Sequence, residues 1–194
     1  MNKKKEKQII KYALSDDEIK KYIPNTKIVK YSDLKKYNNI RDLLPSNKST
    51  ALILYEHAPN IGHWTAIMRY LNKKGIDTIE FFDSLADDGR PDSELKWLSN
   101  QENQLLGQNI PYLTNLLNIS KIPVIYNKFK FQSEHNKKDG KNINTCGRHC
   151  VLRIKSLLDC DYDLQDYYKF MKSIKKDSDN TYDQIVSHLT FDTS

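Results

Sequence analysis

Residues 144–152 read NTCGRHCVL and place Cys146 at the point where a polar loop passes into a helix. A helix N-terminus carries roughly half a positive charge and several unpaired N–H groups, and both favour the ionised form of a thiol. The apolar residues that follow recur at helical spacing, at Cys150, Val151, Ile154, Leu157 and Leu158. The stretch therefore predicts a reactive cysteine held rigidly at the tip of a helix with one buried face.

The residues upstream predict the sheet against which this helix packs. Residues 50–55 are almost continuously apolar, as in a strand covered on both faces. Residues 63–71 and 76–83 alternate on either side of a turn at 72–75 and predict a β-hairpin. Residues 124–132 alternate in the same way and predict another strand.

Helices are predicted both before and after these strands. Ser15 and Ser32 stand before acidic residues, as helix caps do, and the two helices should end before Pro24 and Pro45. Further helical patterns cover residues 93–106, 112–117, 164–174 and 183–189. The whole pattern predicts an α+β fold with a central mixed sheet flanked by helices.

Length and hydropathy favour a single domain. The 194 residues suffice for one core and are too few for two substantial ones. We expect one domain over residues 1–194, with 1–12 as a flexible basic lead-in and 133–144 as a surface-loop insertion. No apolar run approaches the roughly 20 residues of a membrane span, and Met1 leads into no signal core. We therefore expect a protein that is neither membrane-bound nor secreted.

Cysteine usage and charge limit the possible partners. The three cysteines lack the spacing of a disulfide framework, which favours a reducing compartment. A zinc site at Cys146 and Cys150 would need a second ligand pair that only isolated histidines could supply, so no metal is predicted. The net charge of +6 permits weak DNA binding. Solvated lysine-rich faces would explain the same charge.

The chain contains a candidate for each group that a cysteine hydrolase requires. Cys146 would be the nucleophile, His63 the proton carrier, and Asp83 the carboxylate that orients the imidazole. Gln132, with the backbone N–H of Cys146, would stabilise the oxyanion. If residues 71 and 76 pair across the hairpin, His63 lies opposite residue 84, next to Asp83.

Each of these residues also has a structural interpretation. Cys146 could be a small buried apolar residue, and His63 an ordinary strand residue. Asp83 could cap a turn, and Gln132 could be a solvated loop residue. His149 lies one helical turn after Cys146, but behind it, so we expect that histidine to serve in packing.

The aromatic residue after His63 has a predicted role of its own. We expect Trp64 to shield the His63–Asp83 pair from water.

Taken in order, these motifs resemble the clan of the adenovirus maturation protease and the SUMO-specific proteases. The resemblance rests on HW at 63–64, FFDS at 81–84, Gln132 and TCG at 145–147. Within the clan, residues 127–148 are most similar to capsid-maturation proteases of virophages (the mavirus type among them), Polinton-type elements and large DNA viruses. One difference is the spacing: Gln132 lies fourteen residues before Cys146, about twice the usual gap.

The resemblance implies a permuted papain-like fold and a cysteine endopeptidase that processes viral capsid or structural proteins during virion maturation. It implies no cofactor, although DNA or a peptide could act as an activator. The expected protein is a monomer of the virion and of the viral factory in the host cytoplasm. Two alternatives remain: a ubiquitin-like-modifier deconjugase, and a non-catalytic basic protein that binds nucleic acid or capsid.

Overall fold

The computed structural model describes residues 8–86, 89–133 and 143–191, which contain a five-stranded mixed sheet. Its strands lie in sequence order: β1 (Lys27–Lys30), β2 (Ser49–Ala58), β3 (Ile61–Leu71), β4 (Asp77–Phe82) and β5 (Val124–Tyr126). Strand β3 pairs antiparallel with β2 and with β4, whereas β1 pairs parallel with β2 and β5 pairs parallel with β4.

Helices precede the sheet, interrupt it and follow it. They are α1 (Asp16–Tyr22), α2 (Ile40–Leu43), α3 (Asn100–Leu105), α4 (Tyr112–Ser120), α5 (Cys146–Cys160), α6 (Leu164–Lys176) and α7 (Tyr182–Leu189), with 3-10 turns at Tyr31–Lys36 and Ser93–Trp97. Ser15 caps α1 as predicted, in a reciprocal pair with Glu18. Among the helices of the described ranges, none has the length and apolar character needed to cross a bilayer.

The sheet separates two apolar cores. Alternation along β3 sends Trp64, Ala66 and Met68 into the core beneath α5, and Ile67 into the core on the opposite face. The first core also contains α1, α6 and α7, and the second contains α2 and α4. The predicted α+β class, a central mixed sheet flanked by helices, is confirmed.

A buried ion pair fixes α5 to the sheet. Arg153 donates from Nε and from one terminal nitrogen to the two carboxylate oxygens of Glu80 on β4, both at 2.7 Å. Tyr70 donates its hydroxyl to the same carboxylate at 2.6 Å, and both charged side chains are wholly buried. This bidentate geometry sets the rotation of α5 and hence the direction in which its first residue points.

The predicted strand at 124–132 is wrong beyond Tyr126. Asn127 turns its side chain onto the backbone of Asp83, accepting from its N–H at 2.9 Å and donating to its carbonyl at 2.7 Å. The backbone N–H groups of Phe131 and Gln132 then both donate to the carbonyl of Ser84. These bonds replace the strand ladder, and residues 127–132 therefore lie across the end of β4.

The hairpin register is also one residue from the expectation. Leu71 pairs with Asp77, not with Ile76. The reason is Asn72, whose side-chain oxygen accepts from the N–H groups of Lys74 and Ile76 and lengthens the turn by one residue.

Three further details differ from the sequence-based expectation. Strand β1 was not predicted, and it lies at the edge of the sheet with one exposed and three partly buried residues. The helix predicted at 93–106 is divided, because Ser99 caps a new helix. The helix predicted from Ser32 to Pro45 is divided in the same way, at Asn39.

The lead-in predicted at 1–12 is wrong for its second half. Residues 8–11 are helical, and Ile9 is buried. Asn144 holds this segment, because its backbone and side-chain N–H groups donate to the carbonyls of Ile10 and Lys11. Residues 1–7 and residues 134–142 of the predicted loop insertion lie outside the described ranges.

Candidate active site

Cys146 is the first residue of α5, as predicted, and 8% of its surface is exposed. It lines a cleft of about 500 Å³ between the start of α1 and the turn that joins β2 to β3. Burial alone would raise the pKa of the thiol, but the hydrogen bond and positive charge of His63 outweigh it. Backbone hydrogen bonds with Trp64 and Gly147 act in the same direction, so the pKa is lowered.

His63 stands near the start of β3 and contacts Asp83, which directly follows β4. Its Nε2 lies 2.6 Å from Oδ1 of Asp83, and both side chains are buried. Burial would lower the pKa of the imidazole, but the charge and hydrogen bond of Asp83 raise it well above its usual value. Because Nε2 is used by Asp83, Nδ1 remains for the Cys146 thiol. The two opposite pKa shifts favour a thiolate–imidazolium pair.

Gly62, directly before His63 on β3, allows β3 to lie close to β2. A Cβ atom built there would lie 1.9 Å from the carbonyl oxygen of Tyr55 on β2. Any side chain at this position would push β2 and β3 apart. Glycine therefore lets the two strands approach closely beside His63.

Asp83 is held by its surroundings, and these partners were missed from the sequence. Its Oδ1 accepts from the Leu85 N–H at 2.9 Å, while Asn127 binds both its backbone groups. The only signal for Asn127 in the sequence is that it is a polar residue directly after an apolar strand. Oδ2 of Asp83 has no hydrogen-bond partner in the described structure.

Gln132 is joined to Asp83 through Ser84. The Ser84 hydroxyl donates to Oε1 of Gln132 at 2.7 Å, and the Gln132 backbone N–H donates to the Ser84 carbonyl at 2.9 Å. Since Oε1 is the occupied acceptor, the side-chain Nε2 group of Gln132 is the end that remains for donation. All four predicted site residues, His63, Asp83, Gln132 and Cys146, are thus connected through direct contacts or one intervening residue.

Two tryptophan side chains lie beside the site, and one of them was not predicted. The ring that packs on His63 is Trp97, with 5.2 Å between ring centroids, in an edge-on arrangement. Trp64 belongs to the core beneath α5 and lies close to Gly147 at the start of that helix, beside the site as predicted, and its shielding of the His63–Asp83 pair stays a prediction. His149 is wholly buried with its Nε2 3.2 Å from Asp183, in a packing position as predicted.

Glu94 is a further titratable group near the pair. It lies on the 3-10 turn that ends at Trp97, and 3% of its surface is exposed. Neither carboxylate oxygen has a hydrogen-bond partner in the described part of the chain. Burial and, secondarily, the charge of Asp83 raise its pKa to about 8, against the opposing charge of His63. Sequence reasoning gave no signal for this residue.

The fold and these contacts define a Cys–His–Asp cluster at the junction of a helix tip and a β-hairpin in an α+β protein. Over 181 residues the chain is 34% identical to the "Uncharacterized protein V9" of Sputnik virophage, covering 93% of this chain and 95% of that protein. The chain belongs to the family of this virophage protein.

No protein-family model matches the chain. Among solved structures, one described as "Crystal structure of the de-sumoylating protease" is similar with a TM-score of 0.40 and 14% identity, over 98% of this chain and 85% of that one.

Proposed function

We propose that this chain is a cysteine peptidase that cleaves viral capsid or structural proteins during virion maturation. The observation that carries the proposal is the contact series from Cys146 through His63 to Asp83. It combines a thiol of lowered pKa with an imidazole of raised pKa and a buried carboxylate 2.6 Å from that imidazole. Ordinary buried cysteines have the opposite shift, as Cys150 does, whose pKa is raised by burial.

The proposed reaction proceeds in two acyl transfers. The Cys146 thiolate attacks the peptide carbonyl, and the oxyanion is stabilised by the Cys146 N–H and by Nε2 of Gln132. The tetrahedral intermediate then expels the amine, which takes its proton from Nδ1 of His63, and a thioester remains. Water attacks the thioester while His63 accepts its proton, and the carboxylate product leaves. Asp83 holds the imidazole throughout.

The substrate class is inferred from relationship and from the cleft. The family relation to a virophage protein supports a viral role, and the resemblance to capsid-maturation proteases supports structural proteins as substrates. The cleft beside Cys146 is lined by Gly62, Gly147 and Trp64, so the peptide would lie close to the protein backbone. We expect cleavage next to small residues, glycine among them.

The test is co-expression with the candidate capsid proteins of the same virus, followed by mass spectrometry. Wild type should generate discrete new termini, and Cys146→Ala should generate none. Cys160→Ser is the matched control, because Cys160 is an exposed thiol at the far end of the same helix. Processing that persists in Cys146→Ala would refute the catalytic assignment.

The alternatives give different results. Efficient turnover of ubiquitin or SUMO C-terminal fluorogenic substrates, without capsid cleavage, would indicate a deconjugase. A non-catalytic protein would cleave neither, and iodoacetamide near neutral pH would not modify Cys146 faster than Cys150 and Cys160.

A further inference from the structure

One buried carboxylate contacts both ends of the segment that separates Gln132 from Cys146. Asp183, on α7, accepts from the Ser133 backbone N–H through Oδ2 at 3.1 Å. It accepts from the Thr145 hydroxyl through Oδ1 at 2.5 Å. Ser133 directly follows Gln132, and Thr145 directly precedes Cys146. Asp183 therefore binds the sequence neighbour of the proposed oxyanion donor and the sequence neighbour of the proposed nucleophile.

The bond to Thr145 has a consequence for the helix tip. Thr145 occupies the N-cap position of α5, where a threonine side chain usually accepts from the first-turn N–H groups. Here it makes no capping hydrogen bond, because its hydroxyl is directed to Asp183. A capping oxygen would compete for the donors that a thiolate or an oxyanion needs. By holding this hydroxyl, Asp183 leaves the N–H groups beside Cys146 to the reacting atoms.

His149 completes the set of donors around Asp183. Its Nε2 lies 3.2 Å from the same Oδ1 that receives Thr145. Burial raises the pKa of the Asp183 carboxyl, but the hydrogen bond and charge of His149, with the bonds from Thr145 and Ser133, lower it overall. Three donors, one at Ser133 and two at the start of α5, thus converge on an ionised carboxylate that is 2% exposed.

We propose that Asp183 is a positioning residue, which sets the distance between the oxyanion donor Gln132 and the nucleophile Cys146 through its bonds to Ser133 and Thr145. The inference rests on the proposed peptidase function. Oxyanion stabilisation requires donors placed within about 0.5 Å, and Gln132 and Cys146 are fourteen residues apart in sequence. Asp183 touches no substrate in this arrangement and acts through its neighbours.

The experiment compares two reactions of the same thiol. Acyl transfer to Cys146 needs the oxyanion donors, whereas alkylation by iodoacetamide does not. Asp183→Asn keeps the shape but removes the charge and replaces one acceptor oxygen with a donor, which weakens or reverses the bonds made by that oxygen. We expect kcat for a peptide spanning the mapped cleavage site to fall 10- to 100-fold, with KM within about threefold. The rate of Cys146 alkylation should stay within about threefold of wild type.

A second pair of variants controls for folding. Thr145→Val removes the hydroxyl that binds Asp183 and should lower kcat by a similar factor, while Thr145→Ser should restore it. The double variant Thr145→Val with Asp183→Asn should be no slower than the slower single variant, since both break the same contact.

Three results would overturn the inference. Equal losses of hydrolysis and alkylation in both Asp183→Asn and Thr145→Val would indicate general misfolding of the site. Unchanged hydrolysis in a folded Asp183→Asn variant would show that the contact has no positioning role. A wild-type chain without peptidase activity would instead refute the proposed function, and the positioning role with it.

Discussion

Replacing Glu94 by glutamine should change the pH dependence of stability more than any other single carboxyl substitution near the site. Glu94 is buried, neither of its oxygens has a hydrogen-bond partner among the described residues, and its pKa is raised from 4.5 to about 8. The folded chain therefore keeps this proton up to about pH 8, whereas the unfolded chain releases it near pH 4.5. Stability contributed by the neutral carboxyl is thus lost as pH rises between these values.

The magnitude follows from the one-proton difference between the two states. Where the unfolded carboxyl is ionised and the folded one is not, the free energy of unfolding falls by about 1.4 kcal/mol per pH unit. Between pH 5.5 and 7.5 the loss amounts to about 2 to 3 kcal/mol. Glutamine does not titrate, so Glu94→Gln should gain this amount relative to wild type over the same interval.

The assay is urea unfolding of both proteins at pH 5.5, 6.5 and 7.5. The difference in unfolding free energy should widen steadily with pH, with equal m-values. Asp179→Asn is the matched control, because Asp179 is an exposed carboxylate away from the site. Parallel curves for wild type and Glu94→Gln would show that Glu94 is ionised in the folded protein, and the argument from its burial would be wrong.

Three other predictions concern the site and its support. Asp83→Asn should lower kcat/KM by about 10² to 10⁴. Because the substitution removes the charge that raises the pKa of His63, the alkaline limb of the pH–rate profile should move to lower pH. An unmoved limb would show that Asp83 does not influence the titration of His63. Glu80→Leu or Arg153→Met alone should cost about 3 to 5 kcal/mol in chemical unfolding, whereas the double variant should recover most of it; additive losses would contradict a coupled buried pair. Gly62→Ala should destabilise the fold by about 1 to 3 kcal/mol, because the added carbon meets the facing strand. The midpoint of thermal unfolding should fall by several degrees, and kcat should fall with it. Wild-type stability would show that the two strands can separate freely.

The placement of His63 beside Asp83 could be predicted because a hairpin brings the ends of its strands together. This holds although the assumed register was wrong by one residue, since Asn72 lengthened the turn. A single-residue error moves a side chain to the other face of an ideal strand. Here Asp83 lies beyond the last paired residue of β4, where the chain is free of the ladder, so its side chain could turn to His63.

The supporting residues could not be predicted, because each acts over a long separation in sequence. Asn127 binds Asp83 across 44 residues, and Asp183 binds Thr145 across 38. No local pattern marks an asparagine or aspartate as the partner of a distant backbone group. The role of Glu94 could not be predicted for a different reason. A glutamate in a polar stretch is normally exposed, and only the tertiary fold buries this one.

The fourteen residues in sequence from Gln132 to Cys146 are compatible with an ordered site. Loop-closure entropy grows only logarithmically with length, so doubling a loop costs about 0.6 kcal/mol. What matters geometrically is how the two ends are fixed, and both ends have partners outside the segment itself. Ser84 holds Gln132 through its side chain and backbone, and Asp183 holds Thr145. On the proposed roles of Gln132 and Cys146, the distance between donor and nucleophile would then be set by contacts to the segment after β4 and to α7.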